Sequence, residues 1–341
     1  MDLSAIPSLR PGGDVAVTEP RGRLARSAER RGWAPMVVVD RRGEDTGRSG
    51  LFSSRLVEEV RDTARADRTV VCVLNRTGRA RLLACRSCGT LAECEVCGAA
   101  VHLDDGGHLV CDRCEARRPV VCLECGSTAL SLLRVGVTRA REELEALVRE
   151  PVGLVTGATA APGSGDPADR LGGGARVLVG TEAALHRAHD VGLVAFLDLD
   201  QELLAPRYRA AEEALALLAL ASRRVGGRDG GTVLVQTRRP DHEVVTAALR
   251  ADPSVVARAE APRRRLLGLP PAASIAMVGG EAAEAYIERV GRPDGIEVLA
   301  SDEGRWLLRS RTPGRLQDHL ATIERPPGRL RLQVDPVRLR H

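Results

Sequence analysis

This sequence predicts an α/β fold on a parallel sheet, interrupted by a metal-binding insertion and followed by a small α+β domain. Three observations carry that prediction. Short β-branched runs alternate with helical patterns between Ala34 and Asp252, as in parallel sheets with helical crossovers. Eight of the nine cysteines fall between Cys85 and Cys125, as four C-x-x-C pairs. From Arg263 the pattern changes to shorter strand, helix and strand segments.

The elements follow in order. APMVVVD (34–40) reads as a strand, followed by a Gly-rich loop, a helix around Ser53–Ala66 and the strand TVVCVLN (69–75). Cys72 lies in that apolar run and reads as a buried strand residue. After the cysteines, TRAREELEALVRE (138–150) is helical, with Thr138 as N-cap and Leu144, Leu147 and Val148 on one face. PVGLV is a short strand, and GATAAPGSGDPADRLGGG (157–174) a low-complexity loop. RVLVGT (176–181) and VGLVAFLDLD (191–200) read as buried strands, with EAALHRAHD between them as a short helix or turn. A strong helix (209–225), the strand GTVLVQT (231–237) and the helix HEVVTAALRAD complete the alternation. SIAMVGG, EAAEAYIERV, IEVLAS, RWLLRS, RLQDHLATIE and LRLQVDP make up the small α+β domain.

Length and composition set limits. The 341 residues suit two or three domains, with 43% hydrophobic and 28% charged residues. Aromatics make up only 2%: Trp33, Phe52, Phe196, Tyr208, Tyr286 and Trp306. The core must therefore be built from Leu, Val and Ala, and base-stacking platforms are scarce. Every basic residue is arginine; the chain has no lysine. The net charge of +4 sits in residues 263–341, which hold 14 Arg against 10 acids. That tail is the better candidate for phosphate contacts, with a solvated basic surface as the alternative. Apolar runs are too short to span a bilayer and no secretory signal is visible, so the expected compartment is the cytoplasm.

In cytosol, paired thiols hold metal more often than they form disulfides. Each C-x-x-C places two thiolates on one tight turn. Four pairs supply two four-thiolate sites, the composition of structural zinc; iron–sulfur ligation usually shows other spacings. A sequential pairing joins 85/88 with 94/97 and leaves only five residues between those knuckles. A nested pairing joins 85/88 with 122/125 and 94/97 with 111/114. It leaves thirteen residues between the inner pairs, room for a hairpin in VHLDDGGHLV, and is preferred. His102 and His108 then read as hairpin surface residues. The module (84–127) holds 4 Arg against 7 acids, and tetrathiolate centres add negative charge. A structural or protein-docking role suits it better than gripping a DNA backbone.

The order of segments resembles the C-terminal half of the primosomal protein N-prime (PriA) family of replication-restart DNA helicases. VLNRTGRARLLACRSCG is similar to that family's LNRRGY segment running into its zinc knuckles. RVLVGTEAA resembles I-L-I-G-T-Q of the second helicase lobe. FLDLDQELLAPRYRAAEEALALL resembles L-D-A-D…P-D-F-R-A-x-E-R…LL. GGTVLVQTRRPDH resembles V-Q-T-x-x-P-x-H, and RRLLGLPPAASIA the R-x-x-x-x-P-P-F entry to the C-terminal domain. The resemblance implies a RecA-like (P-loop helicase lobe 2) parallel sheet with two zinc ions in nested sites. Cys85, Cys88, Cys122 and Cys125 would hold one, and Cys94, Cys97, Cys111 and Cys114 the other. It also implies branched or forked DNA, primosome proteins and single-stranded DNA-binding protein as partners. On this reading 1–34 is an N-terminal segment, 35–83 and 128–262 form the lobe, 84–127 is the zinc module and 263–341 the α+β domain.

The departures bear on enzymatic activity. A Walker A loop needs a lysine at the β/γ-phosphates, and this chain has none. No D-E-x-H segment is present, and GATAAPGSG shares only glycine content with a phosphate loop. The family's G-T-Q is here Gly180-Thr181-Glu182, and the following lysine is His186. The G-R-A-G-R finger motif has become Arg223-Arg224-Val225-Gly226-Gly227, so Arg224 matches one finger arginine and Gly227 replaces its partner. The expected protein is a replication-restart factor without helicase or ATPase activity and with no catalytic or ATP-binding residues of its own. The alternatives are a truncated piece of an active helicase and an unrelated zinc-ribbon module. Asp198 and Asp200, at a strand's C-terminal edge, could hold metal or cap a loop. His186, His189 and Asp190 read as surface residues. Arg76, Arg79 and Arg81 are either phosphate contacts or solvated charge.

Overall fold

The structure is a computed structural model describing residues 30–42, 50–75, 82–133, 137–155, 175–301, 304–312 and 314–337. The chain opens with β1 (Met36–Asp40), α1 (Ser54–Arg65) and β2 (Thr69–Val73). The insertion follows: β3 (Leu83–Cys85), β4 (His102–Leu103), β5 (His108–Val110), β6 (Arg117–Pro119) and β7 (Leu130–Leu132). Then come α2 (Val137–Val148), β8 (Val152–Val155), β9 (Val177–Gly180), α3 (Ala183–Arg187), β10 (Val191–Phe196) and α4 (Asp200–Leu203). Next are α5 (Ala210–Arg224), β11 (Thr232–Thr237), α6 (Glu243–Arg250) and α7 (Ser254–Leu267). The chain continues through β12 (Ser274–Gly279), α8 (Ala283–Val290), β13 (Glu297–Ser301), β14 (Arg305–Ser310), α9 (Arg315–Ala321) and β15 (Arg331–Val334).

Six strands form one parallel sheet in the order β1-β11-β10-β2-β9-β8. Successive side chains alternate between its faces. Val70 and Cys72 join the layer of α1 and α2, where Leu56, Val60, Leu144 and Val148 are buried. Val71 and Val73 join the opposite layer, with Leu185, Ala214, Leu218 and Val244 from α3, α5 and α6. Both faces are covered, which is why these strands read as continuous apolar runs. Ser53 caps α1 by accepting a hydrogen bond from the Leu56 amide at 3.2 Å. This is the doubly covered α/β sheet with a cysteine insertion that the sequence predicts.

The last six elements form a β-α-β-β-α-β unit whose antiparallel sheet has the order β13-β14-β12-β15, a ferredoxin-like topology. Its core holds Tyr286, Ile287, Leu308, Leu316 and Leu320. It meets the larger sheet domain at Tyr208, whose hydroxyl donates to the Pro336 carbonyl. The Arg264 guanidinium lies 5.7 Å from that ring's centre.

Three elements differ from the sequence reading. β10 ends at Phe196, and Asp200 opens a short helix instead of extending the strand. Thr138 lies inside α2 instead of capping it; Ala140, Leu144 and Val148 are its buried residues, while Leu147 is half-buried. Helix α7 was not anticipated, and residue 263 falls within it. Pro262 and the run Arg263-Arg264-Arg265 suggest a break, because proline removes a helical hydrogen bond. Tertiary contacts outweigh that cost. Val256 is buried, Arg263 pairs with Glu260 at 2.8 Å, and Arg264 pairs with Glu212 at 2.8 Å.

Candidate metal centres

All four C-x-x-C pairs fold into the same knuckle. The amide of the first cysteine donates to the carbonyl five residues on: Cys85 to Thr90, Cys94 to Ala99, Cys111 to Ala116 and Cys122 to Ser127, at 2.8–3.0 Å. The residue after the second cysteine donates back to the first cysteine's carbonyl, again at 2.8–2.9 Å. That residue must take a left-handed conformation. It is Gly89, Gly98 and Gly126 in three knuckles, with φ of 75°, 70° and 74°, and Glu115 in the fourth, with φ of 60°. The glycines in C-x-x-C-G thus have a local cause: only they adopt this conformation without steric cost.

The knuckles assemble as two tetrads. Cys85, Cys88, Cys122 and Cys125 form an outer group, and Cys94, Cys97, Cys111 and Cys114 an inner one, with ligand atoms within 4.8 Å of one another in each. Across the outer group, Cys85 Sγ lies 3.6 Å from Cys125 Sγ, and Cys88 Sγ 3.6 Å from Cys122 Sγ. Across the inner group, Cys94–Cys114 and Cys97–Cys111 are each 3.5 Å apart. A tetrahedral ion bound at about 2.3 Å to each sulfur sets neighbouring sulfurs about 3.8 Å apart. The donor sets therefore fit a metal ion of that size. The grouping is nested, as preferred from the spacing.

Hydrogen bonds within each tetrad lower some thiols and raise others, whereas metal binding requires all four as thiolates. In the inner tetrad, a hydrogen bond from Cys97 brings the Cys111 thiol down to about 5, against burial. The same bond pushes Cys97 up. In the outer tetrad burial opposes Cys85, but the amides of Cys88 and Ser87 outweigh it and lower the thiol to about 6. The Ser127 amide favours the Cys125 thiolate, yet the sulfurs of Cys88 and Cys85 push it up to about 12.

The tetrads sit differently in the molecule. The inner sulfurs belong to a packed cluster with Ala92, Ala99, Val101 and Leu109, touched by Leu267 of α7. The Ala100 amide donates to the Leu204 carbonyl at 2.8 Å. Arg113 donates to the Cys97 carbonyl at 3.2 Å and to the Ala205 carbonyl at 2.8 Å. Glu93 pairs with Arg239, just beyond β11. The inner tetrad is thus fastened to the loop leaving β10. The outer tetrad is carried by the two-stranded β3–β7 ribbon. Its second knuckle presents Leu123 and Cys125 to solvent.

The remaining candidates separate clearly. Asp200 accepts hydrogen bonds from the Thr237 hydroxyl and the Arg238 amide, so it caps the end of β11. Burial, then Asp198, raises its carboxyl to about 7. Among the described residues Asp198 and Asp200 belong to no metal-holding group. His186, His189 and Asp190 are exposed. His102 is half-buried beside Asp112, 3.1 Å away, and His108 is exposed on the hairpin. Cys72 is fully buried. Arg224 donates to the His186 carbonyl at 3.2 Å. Gly227 has φ of 69°, and a Cβ there would meet the Arg31 carbonyl oxygen at 2.5 Å. An arginine finger could not be restored at that position without moving backbone. Arg76, Arg79, Arg81 and the loop 157–174 lie outside the described residues. Arg113, Glu93 and the third hairpin strand β6 were missed; their partners are distant in sequence, so no local pattern marks them.

Fold and site together define a class: a parallel-sheet α/β domain carrying an inserted double cysteine-tetrad module and followed by a ferredoxin-like unit. No model of a known protein family matches the chain. Individual relatives do. The probable replication restart protein PriA of Mycobacterium leprae is 31% identical over 288 residues, 81% of this chain and 43% of its own length. That of Mycobacterium bovis is 30% identical over 341 residues, 90% of this chain and 48% of its own. Replication restart protein PriA of Haemophilus influenzae is 29% identical over 255 residues, 72% of this chain and 35% of its own. The chain belongs to the PriA family, as a relative of its C-terminal region. It spans about half the length of these relatives or less.

Proposed function

We propose that the chain is a replication-restart factor that binds forked DNA and primosome proteins in the cytoplasm without hydrolysing ATP. The observation that carries this reading is the double tetrad set within a parallel sheet whose sequence is related to PriA over 72–90% of the chain. In this reading each tetrad holds one Zn²⁺. All eight donors are thiols in a spacing that suits tetrahedral coordination, and zinc adds no redox chemistry of its own. The ions stabilise a module of short strands whose core is too small to stand alone. DNA contacts fall to the arginine-rich residues 263–341, while the acidic module faces protein. Two features support the loss of ATP turnover: the absence of lysine and the space closed at Gly227 by the Arg31 carbonyl.

The test is binding of the zinc-loaded chain to a labelled fork and to plain duplex across a salt series, with phosphate release followed in the same samples. Fork preference with background hydrolysis is expected. Equal affinity for fork and duplex would remove the restart reading, and hydrolysis above background would overturn the argument from lysine.

A further inference from the structure

The two tetrads are unequal, and we infer that the outer one is a site of thiol oxidation, where peroxide releases the metal while the inner tetrad keeps its own. The inference rests on the zinc reading above.

Access comes first. In the inner tetrad Cys94, Cys97 and Cys111 are buried at 5%, 3% and 0% exposure. In the outer tetrad Cys125 is exposed and Cys88 half-buried. The loop that carries Cys125 is open on its other side too, with Leu123 at 56% exposure. With all four sulfurs of each tetrad held as thiolates by the ion, oxidant reaches them in proportion to exposure.

Charge comes second. Four thiolates around one divalent ion leave a net negative centre. The guanidinium of Arg113 adjoins the inner centre, donating to the Cys97 carbonyl at 3.2 Å. The outer sulfurs meet neutral groups: the Ser87 amide at 3.4 Å and the Thr90 hydroxyl at 3.3 Å. Between sulfurs already held as thiolates, a nearby cation withdraws charge and lowers intrinsic nucleophilicity.

Connection comes third. Loss of the inner ion would release Arg113, Ala100 and Glu93 from the loop after β10 and from Arg239. Loss of the outer ion loosens the second knuckle at the end of a two-stranded ribbon. The outer site can empty while the α/β sheet stays folded.

The chemistry balances with hydrogen peroxide as oxidant. The Cys125 thiolate attacks one peroxide oxygen, forming a sulfenic acid and releasing hydroxide. The Cys85 thiolate, whose sulfur lies 3.6 Å away, then attacks the sulfenic sulfur. A disulfide forms and a second hydroxide leaves. Two protons from solvent convert the hydroxides to water. Two thiolates are oxidised by two electrons and one peroxide is reduced. Two thiolates remain around the ion, too few to retain it against a chelator. A reduced dithiol reverses the step.

The experiment treats the full chain with graded hydrogen peroxide in the presence of a chromogenic zinc chelator. Free thiols are alkylated at each time point and mapped by mass spectrometry. One equivalent of zinc should leave about tenfold faster than the second, following thiolate access. Cys85, Cys88, Cys122 and Cys125 should lose alkylation resistance or form disulfides in that phase, while Cys94, Cys97, Cys111 and Cys114 stay protected. Far-ultraviolet circular dichroism should hold through the fast phase, and dithiothreitol with added zinc should restore the starting state. Release of both ions at one rate, or first oxidation within the inner tetrad, would overturn the inference. A chain purified with no zinc would instead remove the zinc reading and this inference with it. The Cys125→Ser variant supplies the second arm: it should purify with one zinc and show no fast peroxide phase. A fast phase persisting in that variant would also count against the assignment.

Discussion

Arg113 makes two hydrogen bonds that join the inner tetrad to the sheet domain, to the carbonyls of Cys97 at 3.2 Å and Ala205 at 2.8 Å. Replacing it with alanine removes both. A hydrogen bond with a charged donor contributes about 1.5 kcal/mol at a half-buried position, so the pair contributes about 3 kcal/mol. Among the described residues Arg113 Nε is buried without a partner, and its removal returns about 1 kcal/mol. The net loss is about 2 kcal/mol, which corresponds to about thirtyfold in a local opening equilibrium. Global unfolding is a poor probe in a chain with several cores. Native-state hydrogen exchange read on residues 197–206 is a direct one. Arg113→Ala should speed exchange there about thirtyfold while zinc content and exchange in residues 274–279 stay unchanged. Unaltered exchange in 197–206 would refute the claim that Arg113 transmits the tetrad's order to the loop after β10.

Other outcomes follow from the same structure. Leu109 is fully buried among the inner sulfurs, so Leu109→Ala should cost about 3 kcal/mol and lower the chelator concentration that strips one zinc. Tyr208→Phe removes the hydroxyl bond to the Pro336 carbonyl, a loss of about 1 kcal/mol that hydrogen exchange should locate in residues 331–337. Burial holds His242 at about 4, against an ordinary value of 6.5. The unfolded chain therefore takes up the proton first: stability is full above pH 6.5 and is lost as pH falls through 4. Urea midpoints of the wild type and His242→Gln, measured across that range, should converge as the pH drops. Gly227→Arg should destabilise the chain without restoring ATP hydrolysis, because its Cβ would meet the Arg31 carbonyl oxygen at 2.5 Å.

Much of the architecture was readable in order along the chain. β-branched runs such as Val70–Val73 announced buried strands because both faces of the sheet are covered. The nested tetrads were readable because knuckle spacing and the Asp104–Gly107 turn leave room for a hairpin between inner pairs. Helix α7 was hidden by Pro262 and three consecutive arginines, whose partners Glu212, Glu243 and Glu260 include residues far away in sequence. Arg113 was indistinguishable from a surface arginine, since its role depends on Ala205, 92 positions away. Asp200 could be placed at a strand edge, but its capping of Thr237 and Arg238 required the sheet order.

On the proposed reading, Cys85, Cys88, Cys122 and Cys125 hold one zinc ion and Cys94, Cys97, Cys111 and Cys114 the other. Native mass spectrometry of paired serine variants tests it most directly. Cys85→Ser with Cys122→Ser strikes one nested tetrad and should leave one zinc. Cys85→Ser with Cys94→Ser strikes both and should leave none. One zinc retained by the second pair, with none in the first, would establish sequential pairing and contradict the account.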